Sequence, residues 1–197
     1  MNELFAILYH TFANEDKGTF ANQGGWSEDG GAPSVAETCS FFAFVDLMGE
    51  FRDHFCSQLD NSDVGIRSSL SKLSTNLRAF DSQLWNKIEM ENGVKPHYYA
   101  FRWMTTLLTQ EFAFPDVVRL WDTMLSDPDG RADCIRRLCI AMVLLVREEL
   151  MKGDFAANMR ILQQYPPMDV GLIVKKATEL RTFKTVFVLD DSHEDDE

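Results

Sequence analysis

Residues 101 to 122, F-R-W-M-T-T-L-L-T-Q-E-F-A-F-P-D-V-V-R-L-W-D, commit this chain to helices. Phe101, Met104, Leu108 and Phe112 recur at three- and four-residue steps, which predicts one apolar helical face. Pro115 ends that run, and its fixed φ suits the first turn of the next helix. Val117, Leu120, Trp121, Met124 and Leu125 then recur at i, i+3, i+4, i+7 and i+8, a second apolar stripe. Trp103 and Trp121 are therefore expected in a core between adjacent helices.

The same logic extends along the chain. Residues 1 to 14 carry Leu4, Phe5, Leu8, Tyr9 and Phe12 at helical spacing. Residues 15 to 33 are rich in Gly and polar groups and read as a long loop. Ser34-Val35-Ala36-Glu37 is a capping-box pattern. It opens a helix that carries Phe41, Phe44, Val45, Met48, Phe51 and Phe55 to about residue 57. After Gly65 come Ile66, Leu70, Leu73 and Leu77. Asp81 then caps a continuation with Leu84, Trp85 and Ile88, closed by Asn92-Gly93. Lys95-Pro96 resets the chain, and Ser126 to Gly130 is a turn cluster. A helix with apolar residues on most sides runs from Ile135 to Leu150. Gly153 ends it, Asp154 caps the next, Tyr165-Pro166-Pro167 breaks that one, and Asp169 caps a last helix to about Arg181. Residues 185 to 189, T-V-F-V-L, read as a short β segment or the end of order. The expected fold class is all-α, with eight or nine helices.

Composition narrows the function classes. With 197 residues, the chain is long enough to bury about two-thirds of its unfolded surface without metal or disulfide support. Thirty-one acids face 19 bases, a net charge of -12, and six of the last eight residues are acidic. Such a balance argues against binding nucleic acid through phosphates and against a polybasic membrane anchor. The longest apolar run, Leu138 to Val146, is far short of the ~20 residues a membrane span needs. Cys39, Cys56, Cys134 and Cys139 form no C-x-x-C pair and lie near no His at metal spacing, so they read as small buried hydrophobes. No metal and no cofactor is expected. No phosphate-binding glycine motif and no nucleophile-base arrangement is present. The chain reads as soluble and cytoplasmic.

The order F-R-W, Q-E-F, P-D-V-V-R-L-W-D resembles a signature of TBC domains, the helical GTPase-activating domains for Rab-type small GTPases. Met1-Asn2-Glu3-Leu4 is similar to the end of that family's Y-x-Q-G-M-N-E-L motif, and the likeness is strongest to the member-thirteen type. The resemblance implies a C-terminal TBC lobe over residues 1–182, with the loop 15–33 inside it, followed by an extension and an acidic disordered tail over 183–197. It implies a GTPase activator in membrane trafficking, working by two fingers. An arginine from I-x-x-D-x-x-R meets charge at the γ-phosphate, and the glutamine of Y-x-Q-G orients water. Both are expected upstream of Met1, so the chain itself is expected to hold no catalytic residue and to be a regulator rather than an enzyme. Its expected partners are a GTP-bound Rab-type GTPase, which would bring it peripherally to membranes, and the N-terminal lobe.

Six residues are candidates for contact with the GTPase. They are Asn2 in the motif remnant, Asp46, Glu50 and Asp53 on one side of the Phe-rich helix, and Arg102 and Glu111. Each has a plainer reading. The three acids suit a solvated face, and Arg102 suits an ion pair with Glu111 or Asp116. A non-catalytic helical module that binds a small GTPase or another protein is the alternative function.

Overall fold

The computed structural model describes residues 2–14, 34–55 and 65–190. Among these residues every regular element is helical. The chain divides into two compact units, Met1–Arg52 and Asp53–Glu197. The expected loop at 15–33, Cys56 and the acidic residues beyond Asp190 lie outside the described residues.

The first unit contains α1 (Asn2–Asn14) and α2 (Val35–Phe51), which pack on each other. The predicted capping box is present at the start of α2. The Ser34 hydroxyl accepts from Glu37 N, and Ser34 N donates to Glu37 Oε2 at 2.7 Å. Leu4, Ile7 and Leu8 of α1 are buried, and Phe5 meets Phe44 edge-on with ring centres 5.8 Å apart. The Phe-rich stripe of α2 departs from expectation. Leu47 and Phe51 are buried, but Phe41, Phe42 and Val45 are at least half exposed. The helix also stops at Phe51, and a 3-10 turn, Arg52–Phe55, follows it across the boundary between the units.

The second unit is built around α7 (Arg131–Leu145), whose residues from Leu138 to Val143 are all buried. Around it lie α3 (Ile66–Phe80), α5 (Ala100–Thr105), α6 (Phe114–Leu125) and α10 (Val170–Asp190). Each wholly buried Leu or Ile contributes about 1.5–3 kcal/mol relative to exposure. Short pieces complete the unit: α4 (Ser82–Trp85), α8 (Arg147–Lys152) and α9 (Phe155–Gln163). The predicted caps recur here. Asp81 accepts from Leu84 N, Asp154 from Ala157 N and Asp169 from Gly171 N, each at 2.8 Å. Gly93 closes its helix at φ 70°, a conformation that favours a residue without Cβ. At Gly153 a Cβ would lie 2.0 Å from Asn158 Oδ1, so only glycine permits this approach of α8 to α9.

Four expectations for this unit need correction. The predicted single helix from Phe101 to Phe112 ends at Thr105. Leu107 and Leu108 take φ values of 48° and 65° and turn the chain back, so both leucines still reach the core. Phe101 is left 46% exposed. The segment after Trp85 winds as a π-helix, Asn86–Glu91, with Asn92 N donating to Lys87 O. The helix predicted through Leu150 breaks at Val146, which raises the helix number above the eight or nine expected to ten among the described residues. Residues 185–189 continue α10 instead of forming a β segment. Their β-branched composition is a weak preference, and a helix already nucleated over Val170 to Arg181 propagates through it.

Candidate functional site

Arg102 and Glu111 form the best-defined polar contact among the candidate residues. Arg102 Nε donates to Glu111 Oε1 at 2.6 Å, and Nη2 donates to Oε2 at 2.8 Å. Of the two acids considered for it, Glu111 takes the guanidinium. A two-point fork of this kind fixes direction as well as distance. Arg102 Nη2 also donates to Gln163 O at 2.7 Å, and Gln163 Nε2 returns a bond to Tyr98 O. The clamp therefore joins α5, the turn after it and the end of α9. The Glu111 side chain is 2% exposed and that of Arg102 is 44% exposed. One edge of the guanidinium thus meets solvent in a groove of about 380 Å³ lined by Tyr98, Tyr99, Arg102, Gln163 and Gln164. The part played by Gln163 had no sequence signal, since it lies 61 residues from Arg102.

Asn2 is exposed in the first turn of α1. Asp46 and Glu50 are exposed one turn apart on α2, and both engage other groups. The backbone of Asp53 belongs to the 3-10 turn of the second unit, and its side chain lies outside the described residues. A solvated acidic face is thus present at Asp46 and Glu50.

The aromatic core beneath the clamp matches the expectation from spacing. Trp103 is fully buried and Trp121 is 3% exposed. Trp121 Nε1 donates to Leu107 O at 3.0 Å and pins the left-handed turn, whereas Trp103 Nε1 has no hydrogen-bond partner. Trp103 packs edge-on against Tyr99 and Tyr165.

Three polar clusters escaped the sequence reading. Arg137, almost wholly buried, donates to Asp127 Oδ2 at 2.5 Å and Asp129 Oδ2 at 3.0 Å, and Arg181 also reaches Asp129. Burial alone would raise the Asp127 carboxyl, but the Arg137 guanidinium and the Asp129 N–H hold it below its ordinary value. Asp81 is held down in the same way by Arg147, whose Nε donates to its Oδ2 at 2.7 Å. Glu89 behaves oppositely. Its burial pushes the acid up, although Ser74 donates to Oε2, and Oε1 has no partner.

Among the described residues one hydroxyl meets an imidazole, with Ser69 Oγ 3.0 Å from His54 Nε2. Burial pushes the Cys134 thiol up to about 12 and raises Cys139 further, so neither supplies a thiolate near neutral pH. Among the described residues no group of three or more His, Cys, Asp or Glu is gathered to hold a metal ion. Nor is any described helix long and apolar enough to cross a membrane. The surface can orient hydrogen bonds and charge towards another molecule.

Known proteins extend this picture. The Rab-GTPase-TBC domain family profile matches residues 1–151. TBC1 domain family member 13 of Homo sapiens is 43% identical over 184 residues, covering 93% of this chain and 42% of that protein. Its Mus musculus counterpart is 42% identical over the same span. The chain thus spans about two-fifths of the length of these relatives. The crystal structure of the Ypt/Rab-GAP domain of Gyp1p superposes with a TM-score of 0.67 at 25% identity, over 77% of this chain and 46% of that one.

Proposed function

The chain belongs to the Rab-GTPase-TBC family, and from that premise we propose that it forms the C-terminal lobe of an activator of GTP-bound Rab-type GTPases in membrane trafficking. The family match over residues 1–151 carries this reading, together with 43% identity to a member-thirteen relative. Coverage of 46% of a solved Rab-GAP domain supports a role as part of such a domain. The sequence contains neither I-x-x-D-x-x-R nor Y-x-Q-G. The arginine and glutamine fingers are therefore contributed from outside these 197 residues, by an N-terminal lobe that pairs with this one.

The mechanism is electrostatic and positional. An arginine placed at the γ-phosphate stabilises charge that develops in the transition state, and a glutamine orients the attacking water. A finger of the first kind is worth on the order of 10³–10⁵ in rate. The residues present here frame that chemistry. Arg102, oriented by Glu111, offers donors to acidic groups on the GTPase. Asn2, Asp46 and Glu50 offer contacts from the first unit, and Asp53 from the start of the second. The chain works on the cytoplasmic face, brought to membranes by its GTPase. A non-catalytic binding role is the second reading, favoured by the exposed Phe41, Phe42 and Val45 of α2.

Single-turnover hydrolysis by GTP-loaded Rab proteins tests the assignment. The isolated chain should leave the intrinsic rate unchanged, and a polypeptide carrying both finger motifs, added with it, should restore acceleration. Strong acceleration by the isolated chain overturns the assignment of the fingers to another segment. Failure of the combined preparation to bind or activate any GTP-loaded Rab protein overturns the activator reading.

A further inference from the structure

Gln163 is the last residue of α9 and Gln164 its C-cap, and both face Tyr98, Tyr99 and Arg102 across the groove of about 380 Å³. Hydrogen bonds tie its two sides together. Arg102 Nη2 donates to Gln163 O, and Gln163 Nε2 donates to Tyr98 O. Tyr99 is buried and meets Trp103 edge-on, with ring centres 5.0 Å apart. A groove fixed before binding loses little ordering entropy when it is filled. Its outer rim is aromatic. The Tyr98 ring lies 4.0 Å from that of His97 and stands edge-on to Phe155 at 6.5 Å. Tyr98 and Phe155 are 44% and 48% exposed.

The polar atoms left over in the groove are mostly donors. Arg102 Nε and Nη2 are engaged, and Nη1 is not. Among the described residues neither the Tyr98 hydroxyl nor the Gln164 carboxamide takes part in a hydrogen bond. Charge selects a neutral ligand, because Glu111 already balances Arg102 and no other Asp, Glu, Lys or Arg lines the groove. The donors therefore call for uncharged carbonyl oxygens with few N–H groups beside them. Proline residues carry a carbonyl and no N–H. Their polyproline II helix is extended before it binds, bears its carbonyls free, and docks in grooves lined by aromatic rings. The other peptide modes fit less well. Every regular element among the described residues is helical, so no sheet edge is offered to a strand. A helical ligand would spend its carbonyls on its own backbone.

We propose that this groove is the docking site of a short, uncharged, proline-rich segment of a partner protein. Its proline rings pack on Tyr98 and Phe155, and its carbonyls accept from Arg102 Nη1, Gln164 Nε2 and the Tyr98 hydroxyl. The groove lies wholly within the second unit. The inference goes beyond the activator role and shares only Arg102 with it, so a docked segment covers one residue offered to the GTPase. Its test contains no GTPase, so either reading can fail while the other stands.

Fluorescence anisotropy with a labelled Pro-Pro-Leu-Pro-Pro-Leu peptide tests the site on the full chain. The peptide should bind saturably and with little dependence on salt, since no net charge is matched. Replacing every Pro of the peptide by Ala should abolish binding. Tyr98→Ala and Gln164→Ala should each weaken it roughly tenfold, the equivalent of about 1.4 kcal/mol. The Gln164 side chain is exposed and holds no hydrogen bond among the described residues, so its loss leaves the fold in place. Tyr9→Ala makes the Tyr98 change at a tyrosine that is 41% exposed and does not line the groove, and should leave binding unaltered. Circular dichroism melts of each variant separate lost binding from lost folding. No saturable binding by the wild-type chain overturns the proposal, as does equal weakening by Tyr9→Ala or equal binding of the Ala peptide. Tighter binding of a peptide with Glu in place of each Pro also overturns it and reassigns the groove to a carboxylate ligand.

Discussion

Trp103 and Trp121 provide an internal comparison, because they are the same residue in the same core with opposite hydrogen-bond states. Replacing either by Phe removes part of an indole from a site at most 3% exposed. The shared loss of packing is about 1–3 kcal/mol, a fraction of the 3–5 kcal/mol typical for truncation to Ala. The hydrogen-bond terms then separate the two. Trp121→Phe strands the buried Leu107 carbonyl, which now accepts from the indole at 3.0 Å. That adds about 1–3 kcal/mol. Trp103→Phe removes an N–H that has no partner in the folded protein. It recovers a desolvation cost of about the same size. Trp121→Phe should therefore be the more destabilising by at least about 2 kcal/mol, with Trp103→Phe near neutral. Urea melts followed by far-ultraviolet circular dichroism measure both, and a slope of about 1–3 kcal/mol per molar would separate the midpoints by roughly 1 M. An equal or larger loss for Trp103→Phe would refute the reasoning.

Two further tests concern pH. The folded Asp127 carboxyl is held below its ordinary value of about 3.9. Its contribution is therefore present above that pH and is lost as pH falls through the lowered folded value. Asp127→Asn should cost about 1.5–3 kcal/mol near neutrality, and thermal melts should show the gap from wild type closing below about pH 4. Glu89 is raised by burial, so its cost appears as pH rises through the folded value. Glu89→Gln should melt no lower than wild type near pH 5 and higher near pH 8. A lower melting temperature for the variant near pH 8 would mean that the buried carboxylate is compensated after all.

What was legible in the sequence was local. Ser34 with Glu37, Asp81, Asp154 and Asp169 each act as caps because a short side chain reaches a backbone N–H two or three residues on, a geometry that composition alone encodes. The stripe Val117, Leu120, Trp121 and Met124 was equally plain, since burial follows helical period, but Leu125, expected with it, is exposed at the end of the helix. The turn at Leu107 and Leu108 was not, because leucine carries no signal for positive φ; tertiary burial of both side chains imposes it. Nor does sequence announce the π-helix at Asn86–Glu91, which depends on bonding five residues back. At the candidate site, the Arg102–Glu111 pair was within reach because nine residues separate its members across one turn. Its third member, Gln163, and the Arg147–Asp81 pair join distant segments and need the fold to find them.

The left-handed leucines place an unusual demand on side-chain shape. A position that is both buried and at positive φ must be apolar enough for the core and slim enough at Cβ to escape the backbone. Glycine and asparagine satisfy the second demand and forfeit the first. Valine and isoleucine satisfy the first, but branching at Cβ makes the conformation a severe strain. Leucine, branched one carbon further out, meets both. At Leu107 and Leu108, isoleucine, an isomer of the residue already there with the same number of carbons, is a worse replacement than the unbranched methionine. The usual ordering of aliphatic substitutions by volume fails at these two sites.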